Sequence, residues 1–184
     1  MSIRIEFELQ DSDLDYFRTR LKEAKEKYGA AGEDVIIGGA EGLASSIESG
    51  TMPSFLAPRV SVLRKMIAML RDADWKLEGA DRQHVLNALI YFAEENDIIP
   101  DNIPGIGLID DAIMIDLAAD ELEAEIQAYD EFCLNREELQ AGDTDAEPLD
   151  VSRNILQNRM RRQRRRSVRR GSSGRTNYSL FGSI

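Results

Sequence analysis

A turn rich in proline and glycine, between two apolar segments, constrains this chain more than any other stretch. It lies within YFAEENDIIPDNIPGIGLIDDAIMIDLAADEL, residues 91–122. Pro100 has no amide hydrogen and disfavours helical backbone at the residue before it, so a helix arriving from the first segment should end there. Gly105 and Gly107 can adopt positive φ, which lets the chain reverse its direction. The pattern predicts a helical hairpin whose second helix begins near Asp110.

Four aspartates surround this turn and are the best candidates for a site. Carboxylates in the first turn of a helix accept free backbone amides and face the positive end of the helix dipole, which contributes about 0.5–2 kcal/mol each. Hard cations such as Mg²⁺ or Ca²⁺ also bind several carboxylate oxygens, so a metal site is the alternative. We favour capping, because the positions coincide with helix ends and their spacing is not that of an EF-hand loop. The four residues are Asp97, Asp101, Asp110 and Asp111.

Apolar residues at helical spacing predict an all-α fold, a compact bundle of about five helices over residues 11–139. Glycines in 35–44 also permit a strand, a turn and a helix, but their spacing is not G-x-G-x-x-G and we favour a helix through Leu43 to Ile47. Asp81 is expected to cap the fourth helix, and the fifth is expected to continue unbroken to about Leu139. Outside the turn, the apolar positions that define these helices include Leu14, Phe17, Leu21, Ala24, Val60, Leu63, Met66, Ile67, Leu70, Val85, Leu89, Ile126 and Phe132.

The N-terminus has the alternation of a short β-strand. Ile3, Ile5, Phe7 and Leu9 alternate with charged residues, which predicts one buried face. A lone strand needs a partner for its backbone groups, either another extended segment of this chain or the same strand of a second copy, which would give a homo-oligomer. The third alternative is that it lies as an extended arm on the helices.

Composition argues for a location in the cytoplasm. The N-terminus lacks the apolar region of a signal peptide, and acids interrupt the longest apolar run, 98–119, so we expect no transmembrane segment. Cys133 is the only cysteine, so no intrachain disulfide can form and a reducing compartment is the simplest home.

The net charge of −11 is the sum of two opposite parts. Residues 152–184 contain ten arginines and no acid, so they carry +10, while residues 1–151 carry all 34 acids and a charge of −21. Guanidinium groups bind phosphates in a bidentate manner, so RNA, DNA or an anionic membrane are physically reasonable partners of the basic segment. It could instead stay solvated or fold onto the acidic part of the chain. The candidate anion-binding residues are Arg159, Arg161, Arg162, Arg164, Arg165, Arg166, Arg169 and Arg170.

Sequence motifs favour a non-catalytic protein. His84 is the only histidine, and no G-x-S-x-G, HExxH or phosphate-binding G-x-x-x-x-G-K-[ST] motif is present. No cofactor and no small-molecule substrate is indicated.

The turn also resembles a known family. The residues that carry the resemblance are Asp97-Ile98-Ile99-Pro100-Asp101, Ile103-Pro104-Gly105-x-Gly107 and Asp110-Asp111-Ala112. They are similar to the signature of the YkvA-like family, a bacterial group with a small helical domain of unknown function, and the similarity covers chiefly residues 80–133. The resemblance implies a non-catalytic domain, and association of some relatives with membranes implies a place at the inner face of the membrane.

These observations define the expected organisation and function. We expect a helical domain over residues 1–140 with its signature hairpin at 80–133, a linker over 141–150 and an Arg-rich tail over 151–184, disordered or helical only when its charges are neutralised. The expected function is an interaction or scaffold protein whose tail binds nucleic acid or an anionic membrane. A metal-dependent enzyme using the four aspartates, and a homo-oligomer paired through the N-terminal strand, are the alternatives.

Overall fold

Within the described residues the chain is all-α, which confirms the predicted class. The computed structural model describes residues 10–49, 55–93, 99, 107–142 and 145–170, except for the side chains of 168–170. The elements in these ranges are α1 (Asp11–Tyr28), α2 (Glu33–Ser49), α3 (Ala57–Arg71), α4 (Gly79–Leu89), a 3₁₀ helix (Ile90–Ala93), α5 (Ile109–Glu121), α6 (Glu123–Gln140) and α7 (Leu149–Arg170).

The predicted inventory of five helices and one strand is wrong for the described ranges, which hold seven α-helices and no strand. Ile3–Leu9, where the strand was expected, lies outside those ranges. One of the extra helices arises because the predicted fifth helix is divided at Leu122, whose φ of −103° and ψ of 17° are not helical. Its amide bonds to the Ala118 carbonyl, its own carbonyl accepts the Ile126 amide, and its side chain is fully buried. An apolar residue at this break keeps the helical pattern of the sequence continuous, so the pattern does not show it.

The core is built from buried residues of all seven described α-helices. Helix α2 packs against α3, α4 and the 3₁₀ helix, and α5 packs against α1, α3, α4 and α6. Trp75, in the loop between α3 and α4, is fully buried, with its ring centroid 5.0 Å from that of Phe132 and 5.7 Å from that of Tyr129 on α6. The loop is thus fixed to α6 by aromatic packing. None of the described helices combines the length and the hydropathy needed to cross a bilayer.

Asp72, at the end of α3, connects this loop to α6. Its carboxylate accepts hydrogen bonds from the Trp75 amide (3.0 Å), the Tyr129 hydroxyl (2.9 Å) and the Arg136 guanidinium (2.7 Å). Burial alone would raise the pKa of Asp72, but these bonds and one from the Asp74 amide outweigh burial and hold the pKa below its ordinary value of 3.8. The ionised form therefore stabilises the fold.

Asp72→Asn should destabilise the protein by about 1–3 kcal/mol at pH 7, because Arg136 and Tyr129 lose a charged acceptor. A group whose pKa is lowered on folding contributes stability above its unfolded pKa and loses it as the pH falls through the folded value. The difference between parent and variant should therefore shrink below about pH 4. Urea unfolding at pH 7, 5 and 3.5 measures this, with Asp74→Asn, whose side chain is 57% exposed, as a nearly neutral control. A difference that is independent of pH would contradict the assignment.

Helix α2 approaches the 3₁₀ helix closely at one glycine. A Cβ at Gly39 would overlap the Phe92 carbonyl and come within 2.8 Å of the Ala93 Cα, whereas a Cβ at Gly38 would meet nothing within 4 Å. Backbone cannot move aside as a flexible side chain does, so Gly39 is required for this contact.

Gly39→Ala should destabilise the protein by about 1–3 kcal/mol, because overpacking exceeds the gain in helix propensity. Gly38→Ala, one residue earlier in the same helix, should be neutral or stabilising by up to about 1 kcal/mol. Urea unfolding of both variants tests the contact, and equal stabilities would refute it.

Candidate anion-binding surface

Helix α7 lies antiparallel along α6, with which it makes its most extensive packing. Arg159 pairs with Glu131 at 2.6 Å and Gln163 lies 3.5 Å from Gln127, which sets the register of the two helices. A stripe at four-residue spacing is buried on α7, and this burial favours a helix in a very polar segment. The stripe consists of Ser152, Leu156 and Met160.

Two arginines of α7 reach acids on other helices. Arg164 donates to Asp81 on α4 at 2.6 Å and to Glu125 on α6 at 2.8 Å, and Arg161 donates to the second oxygen of Asp81 at 2.6 Å. The Asp81 and Glu125 side chains are only 6% and 1% exposed. Burial lowers the pKa of Arg164, but its bonds to the two carboxylates outweigh burial and raise the pKa above its ordinary value. We call Arg161 and Arg164 the inner arginines.

Polar contacts extend this attachment to the buried tryptophan loop. The Gln157 side-chain amide donates to the Trp75 carbonyl at 2.7 Å, and Arg153 donates to the Asp74 carbonyl at 3.0 Å. Helix α7 therefore meets a backbone turn that has no helical partner for its carbonyls.

Three further arginines face solvent. Arg162, Arg165 and Arg166 are exposed, and none of them makes an ion pair or hydrogen bond to another described residue. Arg169 belongs to the same helix, as does Arg170, but their side chains lie outside the described part. We call Arg162, Arg165 and Arg166 the outer arginines. The eight candidate anion-binding residues are thus not equivalent, since at least three are engaged within the chain.

The second candidate site is only partly described, because Asp97 and Asp101 lie outside the described ranges. Asp110 is fully buried in the first turn of α5, and its carboxylate accepts a hydrogen bond from the Ile99 amide at 2.9 Å. This bond links Ile99 to the start of α5. Asp111 follows it and is 4% exposed. Within the described ranges no group of three or more His, Cys, Asp or Glu side chains is arranged to hold a metal ion. The metal hypothesis and its capping alternative both stay predictions.

His84 and Asp81 lie on α4, near the ion pairs of α7. The two His84 ring nitrogens each lie 3.9 Å from a different carboxylate, Nδ1 from Glu121 and Nε2 from Glu125. The predicted capping role of Asp81 is wrong, because α4 begins at Gly79 with Glu78 in the N-cap position. No sequence motif marks Asp81 or Glu125 as partners of arginines eighty and thirty-nine residues away, respectively.

Asp81→Asn should weaken the attachment of α7 strongly, because it leaves Arg161 and Arg164 without their shared carboxylate. Breaking a buried pair costs several kcal/mol, and the partial exposure of these arginines reduces this to about 1–3 kcal/mol. Glu131→Gln removes a pair whose two side chains are each 40% exposed, and it should cost less than about 0.5 kcal/mol. Urea unfolding together with limited proteolysis near 141–148 measures both variants. Equal effects would show that the buried network does not hold α7.

Comparison with known proteins identifies a similarity in the middle of the chain. A family model described as "Protein of unknown function (DUF1232)" matches residues 85–117, which begin in α4 and end in α5. No curated protein and no solved structure matches the chain. The match overlaps the residues that carry the YkvA-like resemblance but does not bear that name, so the finer assignment stays a prediction. Residues 85–117 of this chain are thus similar to a small domain of unknown function.

Proposed function

We propose that this protein is a non-catalytic helical interaction protein that binds an anionic partner through the outer arginines of α7. The observation that supports this most is the division of the arginines on one helix. The inner arginines are bound to Asp81 and Glu125, while the outer arginines are exposed and make no contact with a described acid. The charge of the outer arginines is therefore available to a partner.

The attachment of α7 favours such binding. A charged helix that is free in solution frays and loses conformational entropy when it binds, whereas a helix already packed on α6 does not incur that cost at binding. The three outer guanidinium groups lie within five residues of one another, which is little more than one turn of helix. They are therefore presented together.

The acidic remainder of the chain limits how a partner can approach. Residues 1–151 carry −21, so the net charge of this part of the chain repels an anionic partner. Binding should be confined to this helix, tolerant of partner sequence and sensitive to salt.

We also propose that the protein acts in the cytoplasm, for which the single unpaired Cys133 argues.

Replacing the outer arginines in the full chain with Arg162→Gln, Arg165→Gln and Arg166→Gln should weaken binding to inorganic polyphosphate at least tenfold and reduce its salt dependence, because three phosphate contacts are lost. Glutamine keeps the helix propensity, so the fold should persist. Fluorescence anisotropy across a salt series gives both quantities.

A variant with the same net charge serves as the control. Arg18→Gln, Lys22→Gln and Arg71→Gln remove three exposed charges from α1 and α3. Its affinity should fall less than threefold. The proposal fails if both triple variants bind equally, or if the parent chain binds neither polyphosphate nor anionic vesicles.

A further inference from the structure

Exposed apolar residues lie on the same face of α7 as the outer arginines. Val151 and Ile155 are 38% and 56% exposed. Positions 151, 155, 158, 162 and 166 follow one another at intervals of three or four residues, so they occupy one side of the helix. The buried stripe of Ser152, Leu156 and Met160 lies on another side. The solvent-facing side of α7 is therefore apolar near its start and cationic near its end.

Leu134 is a further exposed apolar residue, on α6. It is 59% exposed, and the register set by the Glu131–Arg159 and Gln127–Gln163 pairs places it level with residue 156 of α7. Acidic residues follow it on α6, where Glu137 and Glu138 are exposed. An anionic surface would therefore meet α7 more favourably than the end of α6.

The pairing of apolar and cationic groups distinguishes between anionic partners. A nucleic acid offers phosphates to the outer arginines, but its bases stack on aromatic rings, and α7 contains none. A bilayer containing acidic lipids offers anionic headgroups beside an acyl layer, so both kinds of group are used. Ile155 and Arg166 are eleven residues apart, or about 16 Å along the helix, which lets α7 lie flat in that interface.

Resting on the proposed function, we infer that the partner of α7 is the surface of an anionic lipid bilayer. The outer arginines contact lipid headgroups, and Val151 and Ile155 enter the interface between headgroups and acyl chains. The inner arginines stay bound to Asp81 and Glu125, so α7 binds as part of the folded domain. Helix α7 contacts the bilayer with its solvent-facing side only.

The test compares vesicles with a lipid-free polyanion, using the full chain. Flotation should show binding to vesicles of phosphatidylcholine with about 30% phosphatidylserine and no binding to phosphatidylcholine alone. Val151→Ser combined with Ile155→Ser should lower partitioning into the anionic vesicles about tenfold, because the apolar contribution is lost. The same variant should bind polyphosphate as the parent does. Serine, valine and isoleucine have similar helix propensities, and circular dichroism checks that the fold is kept.

Val35→Ser is the matched control, since Val35 is 54% exposed but lies on α2, and it should change vesicle binding less than twofold. The inference is overturned if the double variant binds vesicles as the parent does. It is also overturned if the chain binds polyphosphate or RNA through the outer arginines but does not bind vesicles, and in that case the proposed function stands. If no anionic probe binds, both are wrong.

Discussion

The position of α7 depends on one partly buried guanidinium, that of Arg164. Arg164 joins α7 to α4 and α6 by bonding Asp81 and Glu125, two carboxylates almost completely removed from solvent. Ionised carboxylates in such a place are costly unless they are paired and hydrogen-bonded. Without α7 the charges of Asp81 and Glu125 would lose their arginine partners, so the basic helix compensates charges that the acidic part of the chain buries. The basic and acidic parts of the sequence thus form ion pairs with each other within one folded unit.

This arrangement gives α7 two different faces. The inner face, with Leu156, Met160 and the inner arginines, orders the helix against α6 and the Trp75 loop. The outer face leaves Arg162, Arg165 and Arg166 exposed. The sequence predicted that this basic segment would either stay solvated or fold onto the acidic part of the chain. Helix α7 does both, because successive positions of an α-helix point in different directions: one face is paired with acids and the other is solvated. The ion pairs of the inner arginines hold α7 in place, and the outer arginines are therefore presented in a fixed arrangement.

Local sequence patterns predicted the helical class, but they did not predict contacts between residues that are far apart in the sequence. The apolar periodicity of α1 and α3 marks their buried faces correctly, since Leu14, Phe17, Val60 and Leu63 are all buried. Helix α2 begins ten residues earlier than the expected Leu43, because its glycines, one of them needed for the contact with the 3₁₀ helix, weaken the helical signal. The pairing of Arg164 with Asp81 spans eighty-three positions and has no local signature. The basic charge of the candidate site was therefore predictable, but its division into inner and outer arginines was not.

Native-state hydrogen exchange of the full chain tests most directly whether α7 is part of the domain. If the ion network and the buried stripe hold the helix as described, the amides of residues 152–164 should exchange with nearly the same free energy of opening as those of 126–137 in α6. Asp81→Asn should lower protection in α7 more than in α6. Exchange of the α7 amides at the rate of an unstructured peptide, while α6 stays protected, would contradict the account.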